Sequence, residues 1–142
     1  MIRALACVLA LLLGTSLPAF AEEIRGKVGR VLDGDTFEVA AQRIRIEGLH
    51  APELQEPLGP MARDFVRDLV KDDEVRCIWN GARSYNRLVA RCFLADDGRD
   101  IAAELVAAGL GRDCERFSGG RYAPFETAAG KELSLPTYCA PR

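Results

Sequence analysis

Three short stretches of the chain hold acids, arginines and a histidine in patterns suited to an anionic ester. The first is Asp33-Gly34-Asp35-Thr36. An Asp-Gly pair between alternating runs makes a hairpin turn. The second acid leaves one carboxylate to cap that turn while the other enters a cleft as an oxygen ligand for a hard cation. The second stretch runs from Arg45 through His50, Ala51 and Pro52 to Glu53. Arg45 leaves its strand opposite Ile44 and Ile46, and His50 and Glu53 follow on the loop beyond, where functional side chains concentrate. A cross-strand pair of Arg45 with Glu38 or another acid, and a solvated Glu53, are the purely structural alternatives. The third stretch is Tyr85-Asn86-Arg87, a tight turn in which Asn86 tolerates a left-handed backbone and Arg87 sits at the mouth of the next strand. Arginine forks suit carboxylate and phosphate recognition.

These residues need a rigid frame. Ile24 to Leu32 reads as a strand, and Thr36 to Ala40 as a second with Phe37 and Val39 on one face. Ala40-Ala41-Gln42 is a tight connection. Ile44, Ile46 and Leu49 mark a third strand, with Arg43, Arg45 and Glu47 on its other face. Pro52, Pro57 and Pro60 punctuate a loop, and Ala62, Phe65, Val66, Leu69 and Val70 form a helical stripe within Met61 to Lys71. Val75, Cys77 and Trp79 alternate as a fourth strand. A polar loop over 80–86 and a fifth strand from Leu88 to Leu94 follow. Asp100 caps a helix from Ile101 to Ala108, which Gly109 and Gly111 end. Arg112 to Arg121 reads as an irregular loop, Pro124 opens a third short helix near Phe125 to Leu133, and the tail from Pro136 has no regular structure. This order predicts a single α+β domain, mainly β: a five-stranded OB-fold-like barrel with three helices, closed so that no strand edge is left exposed.

Composition narrows the class. The chain has 142 residues, 49% hydrophobic and 28% charged, with a net charge of −2. That excludes a disordered tail, a collagen-like fibre and a multi-spanning membrane protein. Without a strongly basic field, indiscriminate coating of nucleic acid is disfavoured. Residues 1–21 read as a cleaved signal peptide: Arg3, an apolar run from Ala4 to Leu13 too short to span a bilayer, and Ala19-Phe20-Ala21 as the cleavage site. Residues 22–135 then form the domain and 136–142 its tail. The expected location is the periplasm or the medium, with no membrane association after cleavage. Cys7 lies too early in the leader to anchor a lipid. Cys77, Cys92, Cys114 and Cys139 remain, an even number that in an exported chain predicts two disulfides. Of three connectivities, Cys77–Cys92 on neighbouring strands and Cys114–Cys139 tying down the tail are favoured. A zinc site is the competing reading, against which stand the lack of any Cys-x-x-Cys spacing and a single histidine.

Taken together, Val31-Leu32-Asp33-Gly34-Asp35-Thr36, the run from Arg45 to Ala51-Pro52-Glu53, Tyr85-Asn86-Arg87-Leu88-Val89-Ala90 and the segment from Asp100 to Gly111 resemble the staphylococcal nuclease (thermonuclease) family from about Ile24 to Gly130. The resemblance implies an OB-like barrel and calcium-dependent hydrolysis of phosphodiester bonds in DNA and RNA, with single-stranded or denatured nucleic acid as partner and a monomer as the acting form. It implies that Asp35 ligates the metal, Ala51 offers it a backbone carbonyl, Glu53 activates the attacking water, and Arg45 and Arg87 hold the scissile phosphate. His50 stands where the family has a second metal-binding aspartate. Loss of that negative charge leaves three outcomes: weak calcium binding, preference for Mn²⁺ or Zn²⁺, or no metal and no catalysis. An imidazole at a barrel rim is also able to carry protons near neutral pH. Tyr85, Phe117 and Tyr122 are the expected substrate-binding aromatics, with packing of Phe117 and Tyr122 under the tail as the competing reading. The functional alternative is a weakened or inactive nuclease-like module that binds nucleic acid or another anionic ligand through the same arginines; a third is a scaffold with a vestigial pocket.

Overall fold

A computed structural model of the chain describes residues 21–141. The expected leader falls outside the described residues except for Ala21. The elements are β1 (Glu22–Asp33), β2 (Thr36–Val39), β3 (Gln42–Ile46), β4 (Leu49–His50), α1 (Gly59–Val70), β5 (Glu74–Ser84), β6 (Arg87–Leu94), α2 (Ile101–Ala107), β7 (Arg112–Asp113), α3 (Glu115–Ser118) and α4 (Ala128–Lys131), with 3₁₀ turns at Ala123–Phe125 and Thr137–Cys139.

Five strands close a barrel in the order β1-β2-β3-β6-β5, with β5 pairing back onto β1. The pairs are antiparallel except β3 with β6, which run parallel with Arg45 opposite Val89. Side chains on β6 alternate strictly: Leu88, Ala90, Cys92 and Leu94 are buried, and the residues between them are half-exposed. Such a period-two pattern sends one face inward. Phe37, Ile44, Ile46 and Val75 join them in the core, with Ala62, Val66 and Val70 of α1 and Ile101, Leu105 and Val106 of α2. The Asp100 carboxylate accepts from the backbone N–H groups of Ala102 and Ala103, which starts α2 where its sequence predicts.

Two turns fix the strands that carry the acids and arginines. The Asp33 carboxylate accepts the N–H of Asp35 at 3.0 Å, closing the β1–β2 turn and directing Asp35 inward. Gly34 sits where a Cβ would come within 2.7 Å of the Ala51 Cβ and 2.9 Å of the Ala62 Cβ. Only a glycine lets the turn lie this close to the loop and α1. At the far end of the β2–β3 hairpin, Ala40 and Ala41 both adopt positive φ, 49° and 59°. Both disulfides take the favoured pairing: Cys77–Cys92 joins directly opposed residues of β5 and β6, and Cys114–Cys139 ties the tail to the start of α3.

The structure departs from the sequence reading in five places. β5 runs on to Ser84 through the expected polar loop. Its extension is braced locally, by the Trp79 indole donating to the Ala82 carbonyl at 2.6 Å and by Arg83 over the Trp79 ring. The left-handed residue of the next turn is Tyr85, φ 55°, rather than Asn86. β3 ends at Ile46, and Leu49 lies instead on β4, which pairs with β7 after a Gly48 bend at φ 71°. Four α-helices replace the expected three: α3 forms inside the supposed irregular loop, and the last helix breaks into a 3₁₀ turn and α4. The break sits at Glu126, whose carboxylate takes the Arg112 guanidinium at 3.2 Å and the Asp113 N–H at 3.1 Å. Finally, the tail has regular structure, the 3₁₀ turn that carries Cys139.

Candidate active site

The parallel β3–β6 seam brings Arg45 and Arg87 together from distant parts of the chain. Thr36 pairs with Arg45 across β2–β3, and the Arg87 guanidinium donates to the Thr36 hydroxyl at 3.3 Å. Arg87 is steadied further by the Ser84 hydroxyl at 3.0 Å. The Thr36 hydroxyl donates in turn to Oδ1 of Asp35 at 3.0 Å. Asp35 forms an ion pair with Arg45, the two side chains being 6% and 16% exposed. Its Oδ2 also accepts the Ala51 N–H at 3.2 Å, and Arg45 donates to the Leu49 carbonyl. The two arginines are thus held by neutral oxygens and a single carboxylate.

A cleft of about 600 Å³ opens over this group, lined by Arg45, Glu53, Arg83, Arg87, Tyr85, Phe117 and Tyr138 among others. Glu53 is exposed on the loop before α1. Its carbonyl accepts the Glu56 N–H at 2.9 Å. Gly59 lies so close beneath that a Cβ there would stand 1.8 Å from the Glu53 carbonyl oxygen. Glycine at the first position of α1 therefore sets the height of the Glu53 loop.

Charge in the cleft is strained in the expected directions. Burial, and then the neighbouring Arg87, hold the Arg45 guanidinium below its ordinary value, while Tyr138, Asp33 and Glu53 work against them. Burial raises the Asp33 carboxyl, opposed by Arg45, Thr36 and Arg87. Arg45 is matched by Asp35, but Arg87 is held only by the Ser84 and Thr36 oxygens, which suits it to an anion arriving from outside.

Not every expected residue joins the cleft. Arg45, Glu53, Arg87, Tyr85 and Phe117 line it, and Asp35 lies beneath Arg45. Ala51 meets Asp35 through its N–H. His50 is buried on β4; burial, then the neighbouring Arg45, lower its pKa, and Glu56 and the Ser134 backbone work against them. Tyr122 is a correction: it is wholly buried in the core, with its hydroxyl on Asp100, so no ring face is open to a base. Arg45 pairs with an acid other than Glu38, namely Asp35, and Glu38 takes Arg43. Tyr138 was missed. The signal for it was the neighbouring Cys139, whose pairing with Cys114 brings the tail to the cleft.

A hard divalent cation takes about six to eight oxygen ligands. Here both Asp35 oxygens already accept hydrogen bonds, and Arg45 neutralises the carboxylate. No three His, Cys, Asp or Glu side chains among the described residues gather closely enough to hold a metal ion. The residues as arranged do not fit a bound cation.

Comparison with known proteins agrees with the barrel. The family described as staphylococcal nuclease homologue matches residues 43–129. A protein of Escherichia coli named "uncharacterized endonuclease" is 33% identical over 107 residues, spanning 72% of this chain and 69% of its own. Succinoglycan biosynthesis protein ExoI of Rhizobium meliloti is 33% identical over 138 residues, 89% of this chain and 71% of its own. Micrococcal nuclease of Shigella flexneri is 36% identical over 90 residues, 61% of this chain and 50% of its own.

Proposed function

The chain belongs to the staphylococcal nuclease family, and on that premise we propose that it is an exported nuclease hydrolysing phosphodiester bonds of single-stranded or denatured DNA and RNA. The observation that supports this reading is the convergence of Arg45, Glu53 and Arg87 on one cleft. In the proposed reaction the two guanidinium groups take the non-bridging oxygens of the phosphate and bind the charge that grows in the transition state. Glu53 takes a proton from a water, which attacks phosphorus as the bond to the leaving oxygen breaks; that oxygen takes a proton from solvent. The Arg87–Thr36–Asp35–Arg45 chain of contacts sets the spacing of the two forks.

Metal dependence belongs to the proposal only as far as Asp35: a cation there must displace Arg45, and no step above runs through it. Export is inferred from the leader pattern in residues 1–21 and from the two disulfides, which persist in oxidising compartments. No helix among the described residues is long and apolar enough to cross a membrane. A single domain over residues 22–135, acting as a monomer with its tail held by Cys139, completes the reading.

The test is cleavage of heat-denatured DNA and of RNA by the oxidised protein in Ca²⁺, Mn²⁺, Mg²⁺ and Zn²⁺. Turnover that disappears in Arg45→Ala and Arg87→Ala is expected. No turnover in any metal overturns the enzymatic reading. Salt-sensitive binding without cleavage would then favour the alternative, a nuclease-like binding module, to which the Arg45-neutralised Asp35 already lends weight.

A further inference from the structure

The tail brings an aromatic ring to the cleft from outside the segment that matches the family. Family similarity covers residues 43–129, and Tyr138 lies beyond it. The 3₁₀ turn Thr137–Cys139 that carries Tyr138 is anchored at one end by Cys139, which is fully buried and bonded to Cys114. Cys114 itself lines the cleft. The bond therefore places Tyr138 one residue from a fixed point beside the arginines.

Tyr138 does not fold away as Tyr122 does. It is 49% exposed and faces the same cleft as Arg45, Glu53 and Arg87. Phe117, also half-exposed, stands with its ring centroid 6.5 Å away and its plane tilted by 58°. Two rings that lean towards one another at such an angle form an apolar corner, and the Arg116 guanidinium lies over the Phe117 ring, 5.6 Å from its centroid. Half-open aromatics beside a cationic cleft suit a ligand that carries both a flat apolar face and a negative charge, which describes a nucleotide.

We propose that Tyr138 is a substrate-binding residue: clasped to the cleft by Cys114–Cys139, it forms with Phe117 the corner against which a nucleobase packs when Arg45 and Arg87 hold the adjoining phosphate. The inference rests on the nuclease reading and adds to it a specific recognition surface that the tail supplies. Arg45 and Arg87 read only the phosphate. The Tyr138–Phe117 corner reads the base, and it requires a base that is unpaired and free to turn out.

The experiment compares an octathymidylate with an octamer of equal charge in which the bases are replaced by abasic sites. Binding is followed by fluorescence anisotropy in the absence of added metal, and cleavage of the octathymidylate by KM and kcat. The wild type is expected to prefer the base-bearing octamer. In Tyr138→Ala that preference falls and KM rises by about tenfold, the scale of one base–aromatic contact, while kcat stays within about twofold. Tyr138→Phe keeps the wild-type values, because the stacking face is retained. Cys139→Ser reproduces the Tyr138→Ala effect, and combining the two adds nothing further. Thermal unfolding of each variant checks that the barrel is intact. Equal affinity of wild type and Tyr138→Ala for both octamers overturns the inference and leaves the nuclease reading standing. Failure of the wild type to bind or cleave either octamer overturns both.

Discussion

The Asp35 carboxylate and the Arg45 guanidinium are ion-paired in the barrel wall, the acid almost out of contact with water and the arginine open only towards the cleft. Removing one partner from such a pair leaves the other charged and unmatched, which costs about 3–5 kcal/mol. Asp35→Asn is therefore expected to lower stability by about that amount, read from urea denaturation. Arg45→Ala is expected to cut kcat/KM on denatured DNA by about 10²-fold or more, through loss of a donor to the transition state. Arg45→Lys does not restore it, because an ammonium group cannot meet the phosphate, the Leu49 carbonyl and Asp35 with one fork.

His50 offers a test of the metal. Its imidazole is buried on β4 and, offering no oxygen, is a poor ligand for a hard cation. His50→Ala is accordingly expected to leave the Ca²⁺ or Mn²⁺ concentration for half-maximal cleavage within about twofold of the parent. A shift of about tenfold or more in the metal titration would mean that the imidazole turns to the cation after all.

Glu53 and Gly59 form a second coupled pair. Glu53→Gln removes the proposed base and is expected to lower kcat by about 10²–10⁴-fold with KM little changed. Gly59→Ala touches no substrate, yet its new Cβ would stand 1.8 Å from the Glu53 carbonyl oxygen. The loop must shift, so kcat is expected to fall and stability to drop by about 1–3 kcal/mol. Steady-state kinetics with a parallel thermal melt separates the two effects.

The Ala40-Ala41 turn stores strain that the chemistry does not use. A two-residue hairpin with positive φ at both positions is the geometry that Asn-Gly adopts readily. Replacing the pair with Asn-Gly is expected to raise stability by about 1–2 kcal/mol. kcat/KM should not change, since the turn lies at the end of the hairpin away from Thr36 and Arg45.

Much of this arrangement is legible in the sequence, and the reasons are local. Strict alternation from Leu88 to Leu94 announces a strand with one buried face, and Asp100 announces the start of α2 through its own carboxylate. The first acid of Asp33-Gly34-Asp35 caps its turn as the spacing suggests. What the sequence conceals depends on contacts between distant residues. Tyr122 lies in a polar, glycine-rich stretch that gives no sign of burial; its place in the core is set by the packing around it and by Asp100. The break before α4 arises because Arg112 and Asp113 hold Glu126. His50 follows the rim motif in sequence, but its burial comes from the β4–β7 pairing, a contact between distant residues.

The parallel seam between β3 and β6 has a consequence for how the molecule gains its activity. Strands distant in sequence pay their loop-closure entropy before their contacts repay it, so such a pairing tends to form late. The β5–β6 hairpin is local, and Trp79, the sole tryptophan, sits on it opposite Ala90. During refolding, indole fluorescence would follow that early hairpin, whereas regain of turnover awaits the meeting of Arg45 and Arg87 across the seam. The lag between the two signals would time the last event of assembly.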